Sequence, residues 1–401
     1  MNTHHQLTDL PRVLMFVPQY PPPVVGGLEK QAHLLSRTLA DQGWAVSVIS
    51  GRIHSQQPPL ERFDGAVVRR VWWPRAKTLR FLASSIAISL ALWRMRKDVD
   101  VVHVHQHSWV GLFVVVMSKL LGKPVLTKLP NVGELGIPGL RAMTFGSFRK
   151  RILFLSDAIV SMSSVSHSEL VDAGYPPHRI LGVPNGIALN CQGAASRERY
   201  TGEPCRVVFV GRLSEEKNID VLLEAWFAVV RTRSRVAARL ELWGDGPLAP
   251  NLKALSNTLG LSETVAFMGH VDDVSSRLRD VDIFVLPSRA EGNSNAVLEA
   301  MAAGLPVVSS RVGGTPMLVG DEGADFLCEP RDVASLASML LRLIEEPELR
   351  SALGAAMRRR VETHFDIERV ARIYASAYEM LTSGRREHVA RLSSDILSGV
   401  T

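Results

Sequence analysis

The 401-residue chain predicts an α/β fold built as two successive doubly wound domains. Three observations carry that expectation. Short apolar strands alternate with amphipathic helices, the alternation runs through two separate series, and a turn-rich segment near residues 185–204 divides them. The length agrees, because about 150 residues per domain is the usual prior. A composition of 46% hydrophobic and 21% charged residues is that of a globular chain rather than a disordered one.

In the first series, Arg12 to Val17 is an apolar strand closed by Pro18 and the run Pro21-Pro22-Pro23. Gly26 and Gly27 follow, and then Leu28, Ala32, Leu35 and Leu39 recur at helical spacing as far as Gln42. Gly43 ends that helix and Ala45 to Ile49 is the next strand, which completes a βαβ unit and implies a parallel sheet. The pattern continues with strands at Val99–His105, Pro124–Lys128 and Ala158–Met162, and helices at Trp109–Leu121 and around His167–Ala173.

The second series places strands at Arg206–Val210, Ala238–Trp243, Val265–Met268, Ile283–Leu286 and Pro306–Ser309. Helices are expected at Ile219–Val230, Pro250–Leu259 and Ala296–Ala303. After Pro347 the chain reads as helix over Glu348–Phe365 and Asp366–Leu381, with Asp366 as an N-cap. The domain expectation is therefore 1–195, 196–365, a helix over 366–383, and a loosely held polar tail over 384–401. Ligands of doubly wound sheets bind beyond the carboxyl ends of the strands, so those loops are the place to look for chemistry.

Several function classes drop out. Cys191, Cys205 and Cys328 are far apart and fit neither a disulfide framework nor a zinc finger, which suggests a reducing compartment. Met1 to Leu10 is polar and does not read as a signal peptide, and the apolar stretch Phe81–Trp93 is shorter than a membrane span. No G-x-x-x-x-G-K-[ST] and no G-x-G-x-x-G after the first strand occur, which excludes a P-loop.

Charge is uneven. Residues 1–190 carry 21 Lys and Arg against 11 Asp and Glu, whereas the rest carry 25 against 29. The first half therefore suits an anionic partner, although a solvated basic surface would read the same way. Arg69-Arg70, Arg75, Lys77, Arg80, Arg94, Arg96, Lys97 and Arg149-Lys150-Arg151 flank the apolar stretches Phe81–Trp93 and Phe145–Phe148. Basic residues beside apolar faces suit an anionic membrane surface, and equally a surface of helices whose other face is core.

The candidate site residues follow strands. Gly26-Gly27 lets backbone amides approach an anion ahead of a helix, or forms a plain turn. Gly211-Arg212-Leu213-Ser214-Glu215-Glu216-Lys217 leaves the first strand of the second series. The planar fork of Arg212 and the point charge of Lys217 suit a diphosphate, or decorate a solvated loop. Glu291-Gly292-Asn293-Ser294-Asn295 opens a helix with free amides for a phosphate, and Glu299 lies within it. Either carboxylate can accept hydrogen bonds from vicinal hydroxyls, or merely cap the helix.

Val101, His103, His105 and His107 alternate on one strand face, but no neighbouring carboxylate completes a metal set. Asp98-Val99-Asp100 and Asp280-Val281-Asp282 both read D-x-D, yet each immediately precedes an apolar strand and suits a strand start better than a metal site.

In order and spacing, the second half resembles the retaining glycosyltransferases of family 4, which have the GT-B architecture. The resemblance rests on Gly211-Arg212 with Lys217, Gly244-Asp245-Gly246-Pro247, Phe267-Met268-Gly269, Leu286-Pro287-Ser288, the spaced pair Glu291/Glu299, the run Glu299 to Val308, and Gly313-Gly314. It is dense over about residues 205 to 380. It extends more loosely to Gly26-Gly27-Leu28-Glu29, the His103/His105 strand and Pro184-Asn185-Gly186.

The resemblance implies a hexosyltransferase moving a sugar from a nucleotide diphosphate donor to a hydroxyl with retained configuration. It also implies two facing Rossmann-like domains, an acceptor domain first and a donor domain second, with the C-terminal helix crossing back to the first. Arg212 and Lys217 would hold the diphosphate, Glu299 the ribose, Glu291 and His105 the donor sugar, and the Ser294 and Asn295 amides the phosphate or sugar. Gly211 and Gly244 would shape the donor site, and the Gly26-Gly27 amides would complete it when the cleft closes. His103 would pack in the sheet.

Fixed cations and helix amides can stabilise a leaving diphosphate, so neither a metal nor a cofactor is expected. The expected acceptor is lipid-linked or a polysaccharide, in cell-envelope or exopolysaccharide synthesis. No nucleic acid is expected, and the expected place is the cytoplasm, at the inner face of the plasma membrane. A GT-B sugar-nucleotide epimerase and a non-catalytic sugar-nucleotide binder are the alternatives.

The chain departs from the family at Asn218, where Gly is usual, at Ala188, where Asp is frequent, and at Trp44, where His is common. It departs again at Lys128-Leu129-Pro130-Asn131, in the loop Lys128–Arg141 expected to form the acceptor-facing lip.

Overall fold

A computed structural model describes residues 10–22, 26–74, 76–133, 136–189, 203–232 and 237–398. Arg75, Cys191, most of the expected inter-domain segment and part of the Lys128–Arg141 loop lie outside the described residues. The chain divides into two units, the first comprising residues up to 188 together with those from 367 onward, the second 189–366.

The first unit runs β1 (Val13–Phe16), α1 (Gly27–Asp41), β2 (Val46–Arg52), β3 (Leu60–Phe63), β4 (Ala66–Trp72), α2 (Lys77–Met95), β5 (Val101–Val104), α3 (Trp109–Leu120), β6 (Val125–Lys128), α4 (Ile137–Ala142), α5 (Gly146–Leu153), β7 (Ala158–Ser161), α6 (Ser164–Asp172) and β8 (Ile180–Gly182). Among the described residues its eight strands take the order β3-β4-β2-β1-β5-β6-β7-β8, parallel except for the antiparallel β3–β4 pair. β1 is buried throughout, as expected of a parallel strand covered on both faces.

Alternate residues of β1 serve opposite layers. Val13 and Met15 pack with Ala32, Leu35 and Leu39 of α1, while Leu14 and Phe16 pack with Ile88, Leu92, Val110 and Val114.

The β3–β4 hairpin is absent from the strands read in the sequence. It turns at Asp64-Gly65, both at positive φ, the two-residue loop whose twist suits paired strands. β3 faces solvent on alternate residues and so lacks the apolar run of the other strands.

The second unit runs β9 (Cys205–Val210), α7 (Ile219–Arg231), β10 (Ala238–Trp243), α8 (Ala249–Thr258), β11 (Val265–Gly269), α9 (Val274–Arg277), β12 (Ile283–Leu286), α10 (Asn295–Ala302), β13 (Val307–Ser310), α11 (Thr315–Val319), β14 (Leu327–Cys328), α12 (Val333–Glu345) and α13 (Pro347–His364). Among the described residues its six strands, all parallel, take the order β11-β10-β9-β12-β13-β14. Cys205 and Cys328 are buried, and neither is in a disulfide.

The chain then rejoins the first unit as α14 (Ile367–Thr382), whose Val370, Ala371, Tyr374 and Tyr378 pack with Val13 and Met15 of β1. The following residues correct the expectation of a loosely held tail. A 3₁₀ segment over Arg386–Leu392 and the short helix α15 (Asp395–Ser398) fold onto the edge strand β8. The Gly182 N–H donates to Ser393 Oγ at 2.9 Å and the Ser394 N–H donates to the Gly182 carbonyl at 2.8 Å. Backbone groups that an edge strand would leave open are thereby paired, and Val389 and Leu397 are buried there.

No helix among the described residues is long and apolar enough to cross a membrane. The stretch Phe81–Trp93 is instead the body of α2.

Candidate functional site

In the second unit the loops beyond the carboxyl ends of the strands are tied to one another. Leu213 N–H donates to the Asp245 carbonyl at 3.0 Å and Gly244 N–H to Gly269 O at 2.7 Å. Arg289 N–H donates to Glu216 O and Gly314 N–H to Gly292 O, both at 2.9 Å. These bonds join the loops after β9, β10, β11, β12 and β13. The Gly244-Asp245-Gly246 turn has to be bare for this: a Cβ at Gly244 would lie 1.8 Å from the Gly211 carbonyl oxygen, and one at Gly246 would lie 2.3 Å from that of Leu213.

Within this rim, Arg212 is exposed and Lys217 ends a 3₁₀ turn over Glu215–Lys217. Asn218 then adopts the left-handed conformation, φ 49° and ψ 45°, and caps α7. That explains the departure at this position, since Asn is the side chain that best tolerates a geometry otherwise left to Gly.

The Lys217 ammonium is ion-paired with Glu291 Oε1, and the Ser288 hydroxyl donates to the same oxygen at 2.7 Å. The loop after β9 and the loop after β12 thus meet through one cation and one carboxylate. Glu216 lies behind them: burial pushes its carboxyl up, but the Ser214 hydroxyl at 2.6 Å and the cations Lys217 and Arg212 bring it below its ordinary range.

Ser294 is the N-cap of α10 and makes no side-chain capping bond; Asn295 is the first residue of the helix. Buried Glu299 is its fifth. The helix therefore turns its first amides and a partial positive charge toward the rim that carries Arg212 and the Lys217–Glu291 pair.

The first unit holds the remaining expected residues. Gly26 caps the N-terminus of α1 and Gly27 is its first residue. His103 lies on β5, fully buried, with Nδ1 2.8 Å from the Tyr378 hydroxyl of α14. His105, one residue beyond the strand, stacks on it with ring centroids 3.9 Å apart. Burial, together with the charge of Lys128, holds the His105 imidazolium well below its ordinary pKa, so both rings are neutral at pH 7.

His107 is pushed down to about 4 by burial and by Arg149. No group of three or more His, Cys, Asp and Glu side chains among the described residues could hold a metal ion.

Lys128 was expected at the acceptor-facing lip. It is instead buried, with its ammonium on Asn185 Oδ1 at 2.8 Å. Asn185 belongs to a loop that Gln31 of α1 also grips, donating from Nε2 to the Gly186 carbonyl at 2.8 Å. Sequence reasoning placed this lysine only by its loop, because its partner Asn185 lies 57 positions later in the chain.

Two family models match the chain. The one described as "Glycosyl transferases group 1" matches residues 204–346, and the one described as "Glycosyl transferase 4-like domain" matches residues 26–186. The chain is 30% identical to the D-inositol 3-phosphate glycosyltransferase of Geodermatophilus obscurus, covering 90% of this chain and 87% of that one. It is 28% identical to a glycogen synthase of Mycobacterium tuberculosis, covering 95% and 97%.

Among solved structures it is similar to sucrose-phosphate synthase from Thermosynechococcus elongatus, with a TM-score of 0.76 at 20% identity, covering 93% of this chain and all of that one. Anabaena HepE in complex with UDP gives a TM-score of 0.74 at 18% identity, covering 92% and 99%.

Proposed function

The chain belongs to the family 4 (group 1) glycosyltransferases of GT-B fold, and from that membership we propose how its residues divide the work of a hexosyltransferase that draws on a nucleotide-sugar donor. The observation that carries the proposal is the Lys217–Glu291 ion pair at the strand-end rim of the second unit. Before a donor arrives, the cation and the carboxylate neutralise each other. A bound diphosphate takes over the lysine, and the carboxylate it leaves is then ready to accept hydrogen bonds from the donor sugar hydroxyls.

In this scheme Arg212 and Lys217 hold the diphosphate and the first amides of α10, at Ser294 and Asn295, add dipole and N–H donors. Glu299 takes the ribose hydroxyls and Glu291 and His105 the sugar. Gly211 and Gly244 keep the loops low enough for the backbone to be approached, and Gly26 and Gly27 offer further amides.

As the glycosidic bond breaks, negative charge grows on the departing diphosphate. Groups fixed in advance stabilise that charge without reorganising. The departing phosphate oxygen lies on the face from which the acceptor hydroxyl enters and takes its proton, so configuration is retained. None of these steps needs a metal ion or a separate protein base.

For the acceptor we propose a lipid-linked or polysaccharide hydroxyl used in envelope or exopolysaccharide synthesis, met at the inner face of the plasma membrane. Support comes from α2, where Leu82, Ile86 and Trp93 are 61%, 71% and 53% exposed. Phe145 and Phe148 are also exposed, and the Arg149 guanidinium lies 5.0 Å from the Trp109 ring centroid. Residues 65–97 contain no Asp or Glu. Apolar side chains in a carboxylate-free basic region match an anionic leaflet.

The epimerase and silent-binder readings find no support among the relatives named above. The deciding experiment is product analysis. A panel of nucleotide sugars is screened by thermal shift, and the best is incubated with and without lipid-linked acceptors. Nucleoside diphosphate released in step with an α- or β-linked product of unchanged configuration supports the proposal. An inverted product, or release of an epimerised nucleotide sugar, would overturn it.

A further inference from the structure

The ends of β5 and β6 hold more hydrogen-bond donors than acceptors. Lys128 closes β6 and is only 5% exposed. An ammonium has three N–H donors, and the structure gives this one a single acceptor, Asn185 Oδ1. Val104 pairs with Thr127, so His105 and Lys128 follow side by side at adjoining strand ends.

His105 is 1% exposed, its ring fixed by the stack on His103, and neither of its nitrogens has a hydrogen-bond partner. His103 Nε2 and the Tyr374 hydroxyl of α14 also lack one. Buried polar groups left unpaired cost about 1–3 kcal/mol each, so a cluster of them is a standing demand for a ligand's oxygens. The titratable groups that interact with Lys128 are His103 on β5 and His105 just beyond it, and Tyr374 and Tyr378 of α14 lie against His103. Among the described residues no carboxylate acts on its ammonium.

We propose that Lys128 and His105 form a socket for an anionic oxygen group, a phosphate or a carboxylate, carried by the substrate that meets the first unit. Lys128 offers its two remaining N–H groups and the His105 ring one more. Asn185 and the His103 stack hold the two side chains in place. The inference rests on the reading above that these strand ends face substrate, and it deepens that reading by giving the substrate a charge. The anion has two possible sources, the donor diphosphate or an acid group on the acceptor.

Isothermal titration of the full chain with inorganic phosphate tests the socket. Lys128→Gln keeps an amide able to donate to Asn185 but removes the charge, and its thermal midpoint reports whether the fold is intact. Lys128→Met removes both. The expected result is phosphate binding by the wild type that weakens at least about tenfold in both variants, the loss of one charge-assisted contact.

Repeating the titration under a saturating nucleoside diphosphate (the tightest of UDP, GDP and ADP) separates the sources. Loss of the Lys128-dependent binding assigns the socket to the donor, and persistence assigns it to the acceptor. Equal phosphate affinity in wild type and Lys128→Gln, or no phosphate binding by the wild type, overturns the inference. Either result leaves glycosyl transfer untouched, whereas absence of transfer by the wild type would count against the proposed function and not against the socket.

Discussion

Arg12 and Arg206 hold corresponding positions in the two sheets, each tying the start of its unit's first strand to an aspartate just ahead of the strand beside it. The Arg12 N–H donates to Asp100 Oδ2 at 2.8 Å, its Nε to the same oxygen at 2.9 Å, and the Asp100 N–H returns to the Arg12 carbonyl at 2.8 Å. Arg206 repeats the exchange with Asp282, at 2.8 Å outward and 2.9 Å back. Its guanidinium also donates to the Asp280 carbonyl at 2.7 Å. Both D-x-D motifs therefore lie where their strands begin, the opposite edge of each sheet from the candidate site.

Loss of either aspartate should cost stability and spare chemistry. Asp282→Ala leaves the Arg206 N–H without its carboxylate, and about 1–3 kcal/mol should disappear from denaturant unfolding while kcat and KM stay near wild type. For Asp100, the hydrogen bond from Arg12 outweighs burial and holds the carboxyl below its ordinary range. Its contribution is therefore complete above the usual aspartate pKa and is lost as pH falls through the lowered value. Asp100→Asn should flatten that acid limb. A collapse of turnover in Asp282→Ala with unchanged stability would point to a metal role instead.

Lys217→Ala and Arg212→Ala should each lower turnover at least about 100-fold, since one lost donor to a developing oxyanion costs roughly 3 kcal/mol. The two should differ in stability. Arg212 is exposed, so its removal should leave the thermal midpoint alone. Lys217→Ala abandons Glu291, whose side chain is largely buried, with only the Ser288 hydroxyl, and the midpoint should drop. Glu291→Ala should keep nucleotide binding and lose turnover. Near-normal rates in both cation variants would contradict the assignment.

What the sequence revealed and concealed follows from how each feature is encoded. Parallel strands covered on both faces are continuous apolar runs, so Val13–Phe16, Cys205–Val210 and Ile283–Leu286 are readable one strand at a time. β3 is half exposed and carries no such run; Asp64-Gly65 was its readable signal. The tail over 384–398 is polar on average, yet two apolar side chains, Val389 and Leu397, suffice to dock it.

At the site, Arg212 and Lys217 were legible because they leave a strand at its carboxyl end. That Lys217 meets Glu291, 74 positions later, depends on how two loops are tied, which no local pattern records. Lys128 hides for the same reason. Beside an apolar strand it reads as a lysine reaching solvent, and nothing local records that it is buried against Asn185.

Burial alone lowers the Lys128 ammonium from the ordinary lysine range to about 7. The unfolded chain binds this proton more tightly, so the charge destabilises the fold. The penalty is complete below about pH 7 and fades as pH rises from there toward the unfolded value. Lys128→Met should therefore be more stable than wild type at pH 6 by about 1–3 kcal/mol, after subtracting the lost bond to Asn185. The advantage should shrink steadily above pH 7. Thermal unfolding across pH 6 to 9 reads this directly, and a variant less stable than wild type at pH 6 would show that the ammonium is well compensated in the folded chain.

The exposed face of α2 makes the last prediction. At 100° per residue, Leu82, Ile86 and Trp93 fall within about 40° of one another, a narrow apolar stripe on the solvent side of a helix whose Ile88 and Leu92 are core. At one end Arg96 sits 4.3 Å from the Trp93 ring centroid; at the other Phe81 meets Trp109 and Phe113 edge-on. Burying a side chain such as Ile86 in an acyl boundary is worth roughly 2 kcal/mol. Ile86→Glu removes that term and adds a charge of the wrong sign, so recovery with anionic vesicles in flotation should fall at least about tenfold. Turnover on a water-soluble acceptor should not change, because the substituted side chain supports nothing in the fold. Equal recovery of the wild type on anionic and neutral vesicles, or recovery unaffected by Ile86→Glu, would separate this face from the membrane.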